Sequence, residues 1–433
     1  MSTLPLSWVR FDRSILRSVL LPLLFSLLLL SSFAPERALA APPGIYSLGG
    51  EFRDRDPFPP LRRDQIEGLR NHGASVLLNG RQHSGVSRIV RPGAEPILLS
   101  EIPLAQEPGI INTAIFEVSE DTQSFLIQRR YPSGSDPRRD YALQSTSGNA
   151  RPIDIQEGLN IVFSPNGEYV ADSRLTALNP STRAFENEVY RLTVTGGVEP
   201  FVRPAGYDVV RPSAIANNGI ITGHGMVPIT DSFGTIVLDY RPNGVVQWDL
   251  DGTPTAIIGT DDAGQPWTLS TLTDVRDDGG LLLGYGRFET PEHVSPGFIG
   301  VVDPTTGLDW IAEDLSDAGF FSYTPNAMTD DGRIIVGGVE DHRNSEKEAL
   351  IWTRDGGRQS FATYLNLAGI DTTGWTFEEV IDVSADGQSF AGYATRDGST
   401  DYLFYAVIPE PSTALLLGFG LAVLSGRKRP ERD

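Results

Sequence analysis

The chain has 433 residues and carries 56 acidic against 35 basic side chains, a net charge of −21. A negative field of this size repels polyanions, so the composition argues against a nucleic-acid-binding protein and favours neutral glycans or divalent cations as partners. There is no cysteine, which fits export but leaves the redox compartment undetermined, because no disulfide is available to reveal it.

Met1–Ala40 has the three parts of a secretory signal peptide. Arginines within the first 17 residues form a basic region, Ser18–Phe33 is apolar, and Ala38 and Ala40 are the small residues that signal peptidase requires before it cuts at Ala41. We therefore predict an exported protein with a cleaved N-terminal signal helix and with signal peptidase as a transient partner. The alternative is an uncleaved membrane anchor.

One motif recurs along the rest of the chain. It has a small or apolar start, an acidic residue or Asn, then Gly, and an apolar run that usually ends in Gly. The clearest copies are Ala214–Gly225, Asp274–Gly286, Ala327–Gly338 and Asp382–Ala394, and the looser ones are Ser75–Gly85, Val118–Gln128 and Phe163–Ser173. Asp-Gly and Asn-Gly favour tight hairpin turns, and an apolar run of four to six residues is typical of a strand covered on both faces.

The spacing of these turns indicates the architecture. We place them at Gly80, Thr122, Gly167, Gly219, Gly279, Gly332 and Gly387, which are 42 to 60 residues apart. Four apolar runs close with a glycine, which indicates that another strand approaches the backbone closely there. These glycines are Gly223, Gly284, Gly337 and Gly392.

A second hairpin follows each turn, as in Thr235–Leu250, where we predict two strands joined by Pro242-Asn243-Gly244. Four short strands in each unit are typical of a β-propeller blade. We predict an all-β protein whose residues 41–407 form one seven-bladed β-propeller. Six blades are the alternative count, and a two-sheet sandwich is the alternative fold. Leu61–Asn71 is the one segment in this domain with a helix pattern.

The last unit is short, because only Tyr402–Val407 follows its apolar run. We predict that Gly44–Leu48 supplies the missing strand, which would close the ring and remove two open sheet edges.

Residues 408–433 carry three features in order: Pro409-Glu410-Pro411, the apolar stretch Ser412–Ser425, and the basic cluster Arg427, Lys428 and Arg429. As a helix the apolar stretch would be roughly 21 Å long, against about 30 Å for the hydrocarbon core of a bilayer. We therefore predict a C-terminal hydrophobic helix that anchors the chain in the membrane transiently, with the basic cluster in the cytoplasm.

These features resemble the PEP-CTERM sorting signal of Gram-negative bacteria. The resemblance implies cleavage near the motif by an exosortase, a membrane cysteine protease, and delivery to the cell surface or extracellular matrix. Pro430–Asp433 extends beyond the basic cluster and departs from the family pattern.

The repeats also resemble extracellular proteins with HAF-type repeats, in which an Asp-Gly turn and an apolar run alternate with an Ala-x-x-Trp strand. Ala327–Gly338 followed by Ala349-Leu350-Ile351-Trp352 carries the resemblance. It implies an architecture and no general enzymatic role.

The sequence offers little catalytic or metal-binding chemistry. The segments that begin at Asp274 and Asp382 resemble the start of a calcium loop, but Tyr285 and Tyr393 stand at the twelfth position, where an EF-hand needs a carboxylate. Calcium is therefore a candidate cofactor, and turn formation is the alternative role of these aspartates. The five histidines lack zinc-like spacing, and we predict no catalytic residue.

Tryptophans divide into two groups. Trp248, Trp310 and Trp352 fall in second-hairpin strands, where we expect them to pack between blades. The pattern places Trp267 and Trp375 in loops between units, and we predict that these two form a candidate ligand face. The other members of that face are His224 and Tyr285.

We expect a non-catalytic binding protein of the cell surface or extracellular matrix, with polysaccharide as a candidate partner. The alternatives are a secreted glycan hydrolase or lyase and a purely structural surface protein. Two channel carboxyl groups about 5–10 Å apart, one with a raised pKa, would favour the enzyme. Exposed aromatic side chains without such a pair would favour binding.

Overall fold

The computed structural model describes residues 42–48, 65–70, 74–79, 88–90, 97–98, 112–130, 139–145, 151–153, 161–178, 185–193, 197–207, 209–230, 236–260, 264, 266–289, 294–316, 318–397 and 399–409. All of them belong to the unit Ala41–Asp433, and they are almost entirely β-structure. The predicted signal peptide Met1–Ala40 and the predicted hydrophobic helix Ser412–Ser425 lie outside the described residues. Within the described part, no helix is long and apolar enough to cross a membrane.

The described strands form seven small antiparallel sheets, which we number in chain order. Sheet 1 consists of β2 (Gln65–Arg70), β3 (Ser75–Asn79), β4 (Arg88–Val90) and β5 (Ile97–Leu98). Sheet 2 consists of β6 (Asn112–Val118), β7 (Ser124–Arg130), β8 (Arg139–Ser145) and β9 (Arg151–Ile153). Sheet 3 consists of β10 (Val162–Phe163), β11 (Tyr169–Leu178), β12 (Phe185–Thr193) and β13 (Val198–Phe201). Sheet 4 consists of β14 (Val209–Ile215), β15 (Ile221–Thr230), β16 (Ile236–Trp248) and β17 (Pro254–Ala256).

Sheet 5 has an additional strand at its start, and sheet 7 takes its fourth strand from the N-terminus. Sheet 5 consists of β18 (Ile258–Thr260), β19 (Pro266–Val275), β20 (Leu282–Glu289), β21 (Val294–Asp303) and β22 (Gly307–Asp314). Sheet 6 consists of β23 (Phe321–Met328), β24 (Ile334–Asp341), β25 (Glu346–Thr353) and β26 (Gly357–Ser360). Sheet 7 consists of β27 (Trp375–Val383), β28 (Ser389–Arg396), β29 (Ser399–Val407) and β1 (Gly44–Ser47). Helix α1 (Phe361–Leu367) connects sheets 6 and 7.

The pairing of β1 with β29 completes sheet 7. Gly44 lies opposite Val407 and Ser47 lies opposite Phe404 in an antiparallel register. The Leu48 N–H also donates a hydrogen bond to the Leu403 carbonyl (2.9 Å). The prediction that Gly44–Leu48 supplies the missing strand of the last unit is confirmed.

Each sheet packs against the next through buried apolar side chains. Between sheets 3 and 4, for example, Ala171 and Val189 meet Val246 and Trp248. Clusters of the same kind join sheets 1 and 2, 2 and 3, 4 and 5, 5 and 6, and 6 and 7. A further cluster joins sheet 7 to sheet 1, so the series of contacts returns to its starting point.

The three second-hairpin tryptophans pack between sheets, as predicted. Trp248 and Trp352 are fully buried. The indole N–H of Trp248 donates to the carbonyl of Val202, the residue after the last strand of sheet 3 (2.9 Å), and that of Trp310 donates to the carbonyl of Gly332 in the turn between β23 and β24 (2.8 Å). Each indole therefore joins an apolar contact to a hydrogen bond across a sheet boundary.

The glycines that close the apolar runs meet a neighbouring backbone, also as predicted. A Cβ added to Gly337 would meet the Thr324 carbonyl oxygen, and one added to Gly284 would meet that of Thr271, in both cases closer than 3.0 Å. Gly223 and Gly392 face a carbonyl of their own first strand in the same way. All four lie beside a β-bulge in that strand, which pushes the carbonyl toward them.

One predicted turn is wrong, and another, at Gly80, lies outside the described residues. In sheet 1, Ser75 pairs with Arg70, so Ser75–Asn79 is the second strand of the sheet. Pro242-Asn243-Gly244 does not end a strand, because β16 runs through it with Met226 paired to Pro242 and Gly225 to Gly244. Gly244 leaves room for the Tyr207 hydroxyl, which a Cβ at this position would meet closer than 3.0 Å.

The predicted helix in Leu61–Asn71 is also wrong, because Gln65–Arg70 is strand β2. The structure instead has the unpredicted helix α1. It begins after Ser360, whose hydroxyl accepts a hydrogen bond from the Thr363 N–H (3.3 Å), a typical N-cap. Phe361 and Leu365 are one turn apart on its buried face and fill the space between sheets 6 and 7.

Candidate ligand-binding site

The recurring turns are held by their own side chains. In sheet 7, Asp386 Oδ1 accepts hydrogen bonds from the Ser384 hydroxyl (2.7 Å) and the Gln388 N–H (3.0 Å). Gly387 has a φ of +72° and donates its N–H to the Ser384 carbonyl (2.8 Å), a conformation that glycine adopts at low cost. Equivalent side-chain bonds form at Asp121, Asn166 and Asp331.

Hydrogen bonds also connect the turns of successive sheets. The Glu120 N–H donates to the Pro165 carbonyl (2.7 Å) and the Asp330 N–H to the Ala385 carbonyl (3.1 Å). Further bonds join Asn166 to Asn217, Asn217 to Asp277, and Arg276 to Asp330. The turns of sheets 2 to 7 therefore form one hydrogen-bonded series. We call this end of the first strands the turn end.

A cavity of about 440 Å³ lies at the turn end, between the first strands and turns of sheets 2 to 7. Arg276 is the basic residue that lines it. Five acidic residues also line it, namely Glu120, Asp274, Asp277, Asp330 and Asp382. Among the described residues, no group of three or more acidic or histidine side chains is arranged to hold a metal ion. Calcium binding therefore stays a prediction.

Asp274 is a carboxyl group in this cavity with a shifted pKa. Burial, together with the nearby negative charges of Asp382 and Asp277, raises its pKa to about 7. Its Oδ2 accepts a hydrogen bond from the Met328 N–H of sheet 6 (2.8 Å), and its Oδ1 accepts one from the Val275 N–H (2.8 Å). These bonds work against the shift, and they make Asp274 a link between sheets 5 and 6.

His224, one of the four predicted ligand residues, links sheets 4 and 5. Its Nε2 accepts a hydrogen bond from the Leu272 N–H (2.9 Å), so the ring proton is on Nδ1 and is donated to the Ser213 hydroxyl (2.8 Å). Burial lowers the His224 pKa, and the positive charge of Arg211 lowers it further. Both ring nitrogens of the neutral imidazole are therefore engaged.

Tyr285 has the corresponding position between sheets 5 and 6. Its hydroxyl donates to the Tyr323 carbonyl (2.6 Å), and burial raises its pKa. Its ring packs in the apolar cluster that joins the two sheets.

The prediction that Trp267 and Trp375 lie in loops is wrong. Trp267 is in β19 and only 1% exposed, because its ring fills the space between Gly259 and Phe298, which it meets edge-on (6.3 Å, 83°). Trp375 is the first residue of β27 and is half-buried. Its ring is nearly parallel to that of Phe377 (6.0 Å, 10°).

Trp375 lines a second cavity, of about 540 Å³, between sheets 6 and 7. It lies at the opposite end of the first strands from the turns, and we call it the groove. Its apolar wall includes Trp375, Phe377 and Phe321, which is 41% exposed. Of the four predicted ligand residues, Trp375 alone lies in the groove, so the structure does not bring the four together.

One buried carboxyl group was missed in the sequence. Asp172 in β11 is 3% exposed, and burial raises its pKa to about 7, although the Ser173 N–H donates to its Oδ1 (2.7 Å). The detectable signal was an acidic residue within the apolar run that follows the Asn166-Gly167 turn.

Comparisons with solved structures find weak likenesses. The chain aligns with an oligogalacturonate lyase at 12% identity and a TM-score of 0.49, covering 80% of this chain and 89% of the lyase. It aligns with prolyl oligopeptidase B from Galerina marginata at 10% identity and a TM-score of 0.48, covering 80% of this chain. The match spans 48% of that peptidase, about half its length. Hydrazine synthase from Kuenenia stuttgartiensis aligns at 13% identity and a TM-score of 0.40, covering 78% and 94% of the two chains.

The sequence comparisons bear on the C-terminus. No curated protein matches the chain, and nothing supports the HAF-type resemblance. Residues 407–429 match the family described as PEP-CTERM protein-sorting motif. The match includes Pro409, Glu410, Pro411 and the basic cluster, and it implies export and cell-surface sorting by exosortase.

Proposed function

We propose that this chain is a seven-bladed β-propeller that signal peptidase and exosortase process during export. The mature protein then remains at the cell surface or in the extracellular matrix and acts there by binding a ligand. The propeller arrangement is supported by the seven described sheets and by apolar clusters that run from each sheet to the next and back to the first.

The match to the sorting motif carries the proposal of export. It begins at Val407, the last residue of β29, so the motif follows the folded domain directly. In this proposal, the apolar stretch Ser412–Ser425 retains the chain in the membrane until exosortase cuts near Pro409-Glu410-Pro411.

The test compares Glu410→Ala, inside the motif, with Glu431→Ala, outside the matched residues. Both are expressed in a host with an exosortase and in the same host without it. We expect wild type and Glu431→Ala to reach the surface with a shortened C-terminus by mass spectrometry. Glu410→Ala should stay full-length in the membrane fraction. Normal processing of Glu410→Ala, or identical wild-type processing in both hosts, would contradict the proposal.

We favour binding over catalysis because the polar side chains with shifted pKa values at the sheet boundaries are already engaged in hydrogen bonds within the protein. His224 and Tyr285 hold sheets together, and both oxygens of Asp274 accept backbone hydrogen bonds. The groove, by contrast, has exposed aromatic surface in its wall, which is typical of a binding site.

A hydrolase or lyase acting on glycans is the second candidate, and Asp274 favours it. A carboxyl group with a pKa of about 7 beside a second carboxylate, Asp382, is a pairing that acid–base catalysis uses. If the protein cleaves glycans, Asp274→Asn should reduce kcat by about 100-fold or more, while Glu120→Gln serves as the control in the same cavity. Failure of the wild type to cleave any glycan in a broad screen would eliminate this candidate.

A further inference from the structure

We infer that the groove between sheets 6 and 7 binds an uncharged saccharide, with Trp375 and Phe321 as its apolar wall. This inference rests on the proposed binding function and names the site and the ligand class. The volume of the groove, about 540 Å³, lies within the range of roughly 300–1,000 Å³ that is usual for small-molecule sites.

The aromatic wall is fixed in place. The Trp375 ring is stacked beside Phe377, and the Arg396 guanidinium lies 5.3 Å from its centroid. Phe321 lies beside Tyr323 (6.4 Å between centroids). A ligand therefore does not have to immobilise these rings, which removes one cost of binding. A pyranose ring presents C–H groups on one face, and rigid aromatic surface complements that face.

Polar side chains at the groove remain available for a ligand. Glu346, Lys347 and Glu348 line it and are exposed. In the described part of the chain, none of their side chains forms a hydrogen bond or an ion pair. Two carboxylates that accept hydrogen bonds and one ammonium group that donates them match the hydroxyl groups of a sugar.

A third carboxylate in the groove lining is already occupied. Arg343 donates from Nε to both oxygens of Asp341 (2.8 and 3.1 Å) and holds the Asp341 pKa at about 2. Asp341 is therefore less available to a ligand than the two glutamates.

Charge decides between neutral and acidic saccharides. Lys347 is the one cationic side chain that lines the groove, against Glu346 and Glu348, because the charge of Asp341 is already balanced by Arg343. The whole chain carries −21. A uronate or sulfated chain would meet uncompensated negative charge on entering. An uncharged saccharide avoids this repulsion and still uses both glutamates as acceptors.

The test measures binding of laminarihexaose, cellohexaose and hexagalacturonate by calorimetry, using the protein purified from exporting cells. We expect the wild type to bind at least one neutral hexasaccharide and to bind hexagalacturonate at least about tenfold more weakly. Phe321→Ser should raise Kd about tenfold, and Glu348→Gln about three- to tenfold. Trp375→Phe, which keeps an aromatic ring against Phe377, should also weaken binding.

Asp355→Asn is the matched control, because Asp355 is an exposed carboxylate of sheet 6 at the turn between β25 and β26. Its Kd should stay within about twofold of wild type. Wild-type affinity in Phe321→Ser, Trp375→Phe and Glu348→Gln would overturn the groove as the site while leaving the binding function in place. Preference for hexagalacturonate would overturn the ligand class.

Wild-type protein that binds none of the three sugars would overturn this inference. The localisation of Glu410→Ala tests export independently, so the two failures are distinguishable. Glu348→Gln changes one exposed side chain, so it keeps the site testable if Phe321→Ser fails to fold.

Discussion

The turn end and the groove end use the same kinds of residue for different purposes. At the turn end, Oδ1 of Asp386 and both carboxylate oxygens of Asp274 accept hydrogen bonds from neighbouring N–H or hydroxyl groups. At the groove end, Glu346 and Glu348 are exposed, and no partner for their side chains lies within the described residues. The difference teaches that polarity alone does not mark a binding site, because a carboxylate already bonded to backbone groups stabilises the fold.

The largest loss of stability is expected in β24, which runs from the turn end to the groove. Gly337→Ala in β24 places a methyl group against the Thr324 carbonyl of β23, so pairing must shift along the whole strand. We expect a loss of about 3 kcal/mol or more in the free energy of unfolding, measured with urea.

Gly357→Asn is the control for that change. Gly357 has a φ of +68° with no atom within 4 Å of an added Cβ, and asparagine tolerates this region, so the cost should stay below about 1 kcal/mol. Equal losses in the two variants would show that the close approach at Gly337 has no special role.

The next effect concerns pH. The folded-state pKa of Asp172 is raised from 3.8 to about 7, so the folded state holds this proton more tightly than the unfolded chain. Stability should therefore fall as pH rises from about 5 to about 8, by up to a few kcal/mol, because each pKa unit corresponds to about 1.4 kcal/mol. Asp172→Asn should flatten this dependence in urea titrations at pH 5 to 8.

Asp274→Asn should flatten it by a similar amount, because the pKa of Asp274 is also raised from 3.8 to about 7. Asp251→Asn is the control, since Asp251 is fully exposed and its pKa is lowered, and its slope over this range should match wild type. A wild-type stability that rises between pH 5 and 8 would contradict the assignment of Asp172 as a destabilised carboxylate.

The smallest expected effect is the difference in stability cost between losing a hydrogen-bonded carboxylate and losing an exposed one within sheet 6. Asp331→Ala removes the acceptor for the Thr329 hydroxyl and the Arg333 N–H and should cost about 1–2 kcal/mol in thermal unfolding. Asp355→Ala removes an ion pair with Arg333 from a carboxylate whose side chain is 81% exposed, so it should cost less than about 0.5 kcal/mol. A larger loss in Asp355→Ala would reverse the comparison.

The predictions that depended on local chain geometry were the most successful. The Asp-Gly turns and the glycines at Gly284 and Gly337 were recognised because backbone sterics require particular residue types there. The strand Gly44–Ser47 was found by counting, since the last unit lacked one strand. Each of these features is determined by few residues, and the sequence displays those residues directly.

The errors arose where tertiary packing decides the outcome. The Pro242-Asn243-Gly244 segment has turn chemistry, yet its pairing with β15 and the Tyr207 hydroxyl beside Gly244 keep it within a strand. Trp267 follows a segment rich in Asp, Gly and Gln, but Phe298 and Gly259 bury it. The groove was not predictable as a site, because it needs Phe321 and Trp375 from different sheets to lie together.

The pairing of Gly44 with Val407 joins two strands of sheet 7 that are 363 positions apart in the sequence. Closing so long a loop is slow, and β1 has no partner until β29, the last strand of the domain, has been synthesised and exported. The Ile408 N–H donates to the Gln388 carbonyl (2.9 Å), just before the Pro-Glu-Pro motif begins. A protease that cuts beyond Pro409 therefore leaves every hydrogen bond between β1 and β29 in place, whereas a cut between residues 44 and 48 would break the β1 strand.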